Sequence, residues 1–300
     1  MPEDFGYYWR AVLESVERYP AAPELETLPI RETDFATLYG VRITSVGPYR
    51  LYGYLSVPRG DGPFPAIYYP PKYQSVLEII PQGTANLQRS KYVTFSLASR
   101  GQRNSDKPYA AMFPGLLTEG IDRAESYLLR GIAADSVRGM EFLLSRPEVD
   151  RTRVVAVGND MAMITCALEA GITHLVCGPG LFYDTLNIAS RSSAYPLEEI
   201  NDYLRLFPDK KAGVERSLSF FDLMEFAPGV DARTLLMAGP HGSPLDAEAL
   251  KPLVDRIEGE VTVHESEHST YKDGLFSERW IAEQCGIVDV NAILPEHWRD

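Results

Sequence analysis

Hydrophobic residues recur at helical spacing near the start of the chain and alternate with polar residues further on. Residues 4–18 have a helical period that predicts an amphipathic helix. Its apolar positions are Phe5, Tyr8, Trp9, Val12, Leu13 and Val16. Residues 40–58, GVRITSVGPYRLYGYLSVP, alternate and are rich in Val, Ile, Tyr and Leu, which predicts a β-hairpin ending at Pro58. We therefore expect residues 1–60 to form an N-terminal helix and hairpin.

Short apolar segments then alternate with stretches of helical spacing. The pattern predicts strands at 64–70, 91–99, 153–158, 173–180, 232–239 and 260–266. It predicts helices at 121–145, 161–170, 245–257 and 274–285. Such alternation is typical of an α/β fold with a mostly parallel central sheet and helices on both faces. Sites in these folds form at the carboxyl ends of strands, where Asp160, residues 239–246 and His268 fall.

Residues 181–228 interrupt this alternation. The segment has helical spacing, many aromatic residues and several prolines. Because it follows a predicted strand end, we expect a lid-like helical insertion or a contact between subunits. The sequence contains no repeat and no Gly/Ser-rich linker, so we predict a single domain over residues 1–300.

The charge and the cysteines narrow the classes of partner and compartment. The chain of 300 residues has a formal net charge of −13, whereas nucleic acids and anionic membranes attract basic surfaces. Three cysteines outside CxxC pairs predict free thiols in a reducing compartment. The N-terminus is unlike a signal peptide and no apolar run approaches the roughly 20 residues of a membrane span. We expect a soluble cytoplasmic protein that binds neither nucleic acid nor membrane.

The segment RVVAVGNDMAMITCAL predicts a strand, a sharp turn and a helix. Gly158 and Ala162 flank the turn with small residues, as in the nucleophile elbow of many hydrolases. The central position, where such hydrolases have a serine, is Asp160. Taken alone, the pentapeptide from Gly158 to Ala162 favours a strand–helix turn whose aspartate merely caps the helix.

Longer segments resemble a known family. These are DFGYYWRAVLESV, YGYLSVPRG, FPAIYYPPKY, ASRGQ, RGIAADSVRGMEFLLSRPEVDRTRVVAVG and EINDYLRLFP. Through them, nearly the whole chain resembles the acetylxylan esterase / cephalosporin C deacetylase family of α/β-hydrolases. The resemblance implies an α/β-hydrolase fold, a structural role for Arg100 and Gln102 of ASRGQ, and a homo-oligomer.

The resemblance also implies positions for the catalytic groups. The family's serine falls on Asp160, and its histidine on His268. The two oxyanion N–H groups fall on Tyr73 and Met161. The family's aspartate falls on Gly242, so the chain departs from the family at two of three triad positions.

A carboxylate at the elbow suits chemistry other than serine-esterase acyl transfer. Asp160 could attack carbon as a nucleophile, with His268 activating the water that hydrolyses the resulting ester. Asp184 or Asp246 would then orient the histidine. We therefore predict a hydrolase of a small organic substrate, such as an ester or epoxide, acting through Asp160 and His268.

Two alternatives remain open at this stage. Asp160 could be a general base for elimination, isomerisation or cyclisation, because burial raises a carboxyl pKa. The chain could also be a catalytically silent binding or assembly protein, since fold does not fix function. For each of these hypotheses, the candidate pocket residues are Lys72, His241, Tyr183 and Tyr195. No nucleotide motif or metal-ligand spacing is evident, so we expect no cofactor and no metal.

Overall fold

Nine strands form one central sheet in the computed structural model, which describes residues 2–72, 83–102, 104–106 and 112–294. The strands are β1 (Glu24–Thr27), β2 (Ala36–Ser45), β3 (Tyr49–Pro58), β4 (Phe64–Tyr69), β5 (Val93–Leu97), β6 (Val149–Gly158), β7 (His174–Cys177), β8 (Arg233–Ala238) and β9 (Val261–Glu265). Their order is β1-β2-β3-β5-β4-β6-β7-β8-β9. The run from β5 to β9 is parallel, and β1, β2 and β3 are antiparallel to their neighbours. This confirms the predicted mostly parallel sheet.

Helices connect the strands and cover the sheet. The α-helices are α1 (Phe5–Arg18), α2 (Leu128–Leu144), α3 (Asp160–Leu168), α4 (Thr185–Ala189), α5 (Glu198–Leu206), α6 (Lys211–Ser219), α7 (Leu223–Phe226), α8 (Lys251–Val254) and α9 (Thr270–Gln284). Short 3-10 turns span Pro29–Arg31, Gly83–Ser90, Leu116–Thr118, Pro208–Lys210, Ala227–Gly229 and Val290–Ala292. Among the described residues no helix is long and apolar enough to cross a membrane.

The core lies on both faces of the sheet. Val154 and Ala156 of β6 belong to the large buried cluster that includes residues of α2 and α3. Val155, between them, belongs to a second cluster with Trp280 and Ile281 of α9. Because successive side chains of a strand point to opposite faces, helices cover both sides of the sheet, as the sequence predicts.

The insertion at 181–228 contains four short helices, α4 to α7. Its C-terminal part packs against α1 through aromatic residues. The Tyr8 and Phe220 rings stack with centroids 4.2 Å apart, and the Trp9 indole N–H donates to the Phe220 carbonyl at 2.9 Å. Nearer its middle, the Glu199 carboxylate of α5 accepts the Leu117 N–H at 2.9 Å. The insertion is thus bound to the rest of the fold at two separate places.

The prediction of a helix over 245–257 is wrong for most of its length, since α8 spans only Lys251–Val254. Asp246 is the physical reason. Its carboxylate accepts the N–H groups of Gly242 at 2.8 Å and Ala249 at 2.9 Å. Such local bonds from an aspartate offer the backbone an alternative to the helix. The helix predicted at 121–145 likewise begins only at Leu128.

Candidate active site

The turn between β6 and α3 is built around small residues. β6 ends at Gly158 and α3 begins at Asp160. A Cβ at Gly158 would lie 3.3 Å from the Ala162 Cβ and 3.4 Å from the Pro70 ring. A side chain at position 158 would therefore meet Ala162 slightly closer than an ordinary contact. The turn places Asp160 at the carboxyl end of a central strand.

The Asp160 carboxylate is held by the loop that follows β7. Its Oδ1 accepts the backbone N–H groups of Gly180 at 3.2 Å, Leu181 at 3.0 Å and Phe182 at 2.8 Å. Its Oδ2 accepts the Leu181 N–H at 3.1 Å. The residue is only 2% exposed. Burial raises the pKa of the Asp160 carboxyl above its ordinary value, although the backbone N–H donors oppose that shift.

The backbone of Asp160 is that of an ordinary first helical residue. A nucleophile elbow holds its central residue in a strained turn. Among the described non-glycine residues, left-handed φ angles occur at Ala22, Asp184 and His268, and not at Asp160. The strand–turn–helix prediction is therefore confirmed, but Asp160 is presented to its surroundings without that strain.

A cavity of about 340 Å³ adjoins Asp160. Its described lining comes from the end of β4, the start of α2, the β6–α3 turn, the loop after β7 and the segment before α5. Those residues are Pro70, Pro71, Lys72, Leu129, Ile132, Asn159, Asp160, Met161, Gly180, Leu181, Phe182, Ala194, Tyr195, Pro196 and Leu197. Residues 181–182 and 194–197 of the insertion thus line this cavity, and its lid-like role stays a prediction.

His268 lies in the loop after β9, with an exposed side chain. Its φ of 59° is left-handed, and its N–H donates to the Ser266 hydroxyl at 3.3 Å. It is not among the described residues that line the cavity. The structure thus does not bring His268 into the cavity beside Asp160, and its catalytic role stays a prediction.

The two candidate acids are engaged elsewhere. Asp184 is exposed, and its Oδ2 accepts the Asn187 amide N–H at 2.6 Å. Asp246 accepts two N–H groups of its own loop, and these bonds lower the pKa of its carboxyl. No ion pair between described residues joins either aspartate to His268. The histidine paired with an aspartate is instead His264, whose Nε2 lies 2.8 Å from Asp273 Oδ1.

The remaining predicted residues divide into two groups. Met161, Lys72 and Tyr195 line the cavity. The side chain of His241 is 85% exposed, and the Tyr183 hydroxyl donates to the Ala249 carbonyl at 2.7 Å. Neither His241 nor Tyr183 is in the described lining of the cavity. Tyr73, predicted as an oxyanion donor, lies outside the described residues.

Sequence reasoning missed the N–H groups of residues 180–182. Backbone donors leave no side-chain signal, and the one clue was the sequence GPGLF directly after a strand.

Sequence reasoning also missed how the Gln102 side chain supports the site. The Gln102 side chain accepts the Ser99 N–H at 3.0 Å and donates to the Lys72 carbonyl at 3.2 Å, so it ties the end of β5 to the cavity wall.

No cluster of metal-ligating side chains is present among the described residues. The titratable side chains of the described cavity lining are Asp160, Lys72 and Tyr195. Asp160 is the one carboxylate among these three, and its oxygens can accept a proton or attack an electrophile.

Comparisons with known proteins agree on one family. The family model described as "Acetyl xylan esterase (AXE1)" matches residues 1–242. Acetyl esterase Axe7A of Xylanibacter ruminicola is 21% identical over 239 residues, which are 75% of this chain and 53% of that protein. The chain thus spans about half the length of that curated relative.

Solved structures that superpose on this chain include two acetyl xylan esterases. An acetyl xylan esterase from Paenibacillus sp. R4 superposes with a TM-score of 0.80 at 19% identity, covering 94% of both chains. Acetyl xylan esterase 1 from Thermoanaerobacterium sp. JW/SL YS485 gives 0.78 at 21% identity and the same coverage. At these identities the likeness is one of fold, and it confirms the α/β-hydrolase architecture.

Proposed function

Because the chain belongs to the acetyl xylan esterase family, we propose that it is an ester hydrolase whose reactive group is the Asp160 carboxylate in place of a serine. One observation carries the proposal. Asp160 is a buried carboxylate with a raised pKa that lines a cavity at the carboxyl end of β6. Perturbed titratable groups in a cleft are typical of catalytic sites.

In the proposed reaction Asp160 is a general base. Its Oδ1 has three N–H donors and its Oδ2 has one, so acceptor capacity remains on Oδ2. Oδ2 takes a proton from a water molecule, and the water oxygen bonds to the acyl carbon. The tetrahedral intermediate expels the alkoxide, which takes the proton from Asp160. The products are a carboxylic acid and an alcohol.

Two features favour a base over a nucleophile. A covalent ester on Asp160 needs a second base to activate water, and the described cavity lining includes neither a histidine nor a second carboxylate. The backbone of Asp160 also lacks the left-handed φ of the strained residues in this chain. A general base requires neither a second base nor a strained backbone, because proton transfer requires only hydrogen-bonding reach.

The pH dependence of kcat tests the role of Asp160. A general base must be ionised, so turnover should rise with pH through the pKa of Asp160 in the substrate complex. Because burial raises that pKa above 3.8, the acid limb of the profile is expected above this value. The measurement is kcat from low pH to neutrality, with circular dichroism at each pH to confirm folding. An acid limb at or below 3.8 would contradict the assignment.

A second candidate, Asp160 as a nucleophile assisted by His268, is favoured by the donors on Oδ1. The same N–H groups of residues 180–182 would hold the carbonyl oxygen of a covalent ester during its hydrolysis. The two routes differ in where the oxygen of water ends up. In the nucleophile route an Asp160 oxygen displaces the leaving group from a saturated carbon of the substrate, and water then attacks Cγ of the resulting alkyl ester. In the general-base route water attacks the acyl carbon of the substrate.

Turnover in water labelled with the heavy oxygen isotope separates the routes. We expect the peptide containing Asp160 to stay unlabelled by mass spectrometry, because the carboxylate only carries a proton. Label in that carboxylate would show the nucleophile route. An adduct that accumulates in His268→Ala would show the same, since the missing base would leave a covalent ester in place.

A further inference from the structure

The cavity around Asp160 has mainly apolar walls. Apolar side chains reach it from α2, from the loop after β7 and from the segment before α5. They include Leu129, Ile132, Leu181, Phe182, Pro196 and Leu197. Several are almost fully buried, among them Leu129 and Ile132 at 2% exposure. Walls of this kind bind apolar groups by removing them from water.

Polar groups are few in the same lining. The polar side chains among the described lining residues are those of Lys72, Asn159, Asp160 and Tyr195. Asp160 already accepts four backbone hydrogen bonds, and the remaining capacity of Oδ2 serves the reacting water. Lys72, Asn159 and Tyr195 are exposed. A carbohydrate presents a hydroxyl on almost every carbon, and a buried hydroxyl without a partner costs about 1–3 kcal/mol. The described walls are therefore poorly suited to enclosing a sugar ring.

The volume of the cavity also exceeds the needs of an acetyl group. At 340 Å³ the cavity can enclose about ten atoms of roughly water-like volume, whereas acetyl has three heavy atoms. An acetyl ester would leave most of the apolar wall uncovered. A longer acyl chain would bury that wall and gain binding energy with each methylene.

We infer, resting on the proposed function, that this site takes esters of apolar acyl groups of about six carbons in preference to acetylated carbohydrates. The acyl chain lies against Leu129 and Ile132, with its carbonyl carbon next to the water that Asp160 activates. The leaving alcohol faces the exposed Tyr195 side of the cavity.

A series of p-nitrophenyl esters from acetate to octanoate tests the inference. We expect kcat/KM to rise by about fourfold per methylene up to hexanoate. An acetylated xyloside should be hydrolysed more slowly than the hexanoylated xyloside, which has the same leaving alcohol. Flat or falling kcat/KM with chain length, or a preference for the acetylated xyloside, would overturn the inference.

Variants of Ile132 locate the chain-length selectivity in this cavity. Ile132→Phe should move the optimum to shorter esters, and Ile132→Ala should move it to longer ones. Val137→Ala is the matched control, because Val137 lies on the same helix, is 1% exposed and is not in the described lining. An equal change in Val137→Ala would assign the effect to general loosening of α2 and contradict the inference.

Binding of methyl ketones separates this inference from the proposed function and does not depend on any variant. Ketones from acetone to 2-octanone match the esters in shape and cannot be hydrolysed. Calorimetric affinity should increase with chain length. If affinity increases but no ester is turned over, the proposed function fails and the ligand class stands. If esters are hydrolysed while ketone affinity is flat, the ligand class fails and the function stands.

Discussion

Asp160→Asn is expected to lower kcat for ester hydrolysis by about a thousandfold, the usual worth of a general base. The amide cannot take a proton from water at neutral pH. It still offers a carbonyl oxygen in the position of Oδ1, where the N–H groups of residues 180–182 converge. The folded structure should therefore persist while the chemistry stops. The measurement is steady-state hydrolysis of p-nitrophenyl hexanoate, with circular dichroism to verify folding.

Asp160→Ala should add a loss of stability that Asp160→Asn does not show. Removing the carboxylate leaves three N–H groups of the loop after β7 without their acceptor. A buried donor left unsatisfied costs about 1–3 kcal/mol, so the free energy of unfolding should fall by about 3 kcal/mol. Urea denaturation of both variants measures the difference.

Asp222→Asn is the matched control for the measurement of kcat. Asp222 is a half-buried aspartate that accepts a backbone N–H, from Met224 at 3.0 Å, and it is not in the described lining of the cavity. Its replacement should leave kcat unchanged. Hydrolysis by Asp160→Asn at the rate of the unaltered protein would show that Asp160 holds the loop and does no chemistry.

The contacts of Asp160 also show what a carboxylate supplies at this position and a hydroxyl would not. A carboxylate has about four acceptor sites, whereas a hydroxyl has two. The loop 180–182 directs three N–H groups at the elbow position. A serine there could not satisfy all of them. The Asp160 carboxylate and the conformation of residues 180–182 are therefore coupled through these hydrogen bonds.

The strand–helix order of the fold could be predicted because it depends on local hydrophobic patterns. Strand β1 was missed for the opposite reason. Its four residues, Glu24–Thr27, are all exposed, so no alternation of apolar and polar positions marks them. The strand exists because the backbone pairs with β2, and such pairing leaves no trace in side-chain polarity.

The candidate site could be predicted only as far as side chains define it. Asp160 was found from the turn sequence and Met161 from the family resemblance, and both line the cavity. The position of His268 could not be predicted, because it depends on the left-handed turn in its loop and on the Ser266 hydroxyl. The N–H groups of the loop after β7 that bind Asp160 could not be predicted either, because backbone donors leave no mark in the sequence.

A buried ion pair joins the strand end at ASRGQ to helix α2. The Arg100 backbone N–H and Nε both donate to Asp135 Oδ2 at 2.9 Å, and Nη2 donates to Oδ1 at 2.7 Å. Asp135 is fully buried and the Arg100 side chain is 11% exposed. The guanidinium also lies 4.4 Å from the centre of the Tyr49 ring. The pair thus links β5, α2 and the hairpin, which supports the structural role expected for Arg100.

Asp135→Ala is expected to lower the free energy of unfolding by about 3–5 kcal/mol, because it leaves the Arg100 charge buried without its partner. The double variant Arg100→Leu/Asp135→Leu should lose less than Asp135→Ala, since it removes both charges and refills the space with apolar atoms. Urea denaturation followed by circular dichroism measures both.

Glu14→Ala is the control, because Glu14 pairs with Arg18 on the surface, where the two side chains are 54% and 73% exposed. Such exposed pairs contribute about 0.5 kcal/mol or less. A loss in Asp135→Ala no larger than in Glu14→Ala would show that the Arg100–Asp135 pair does not hold α2 to the sheet.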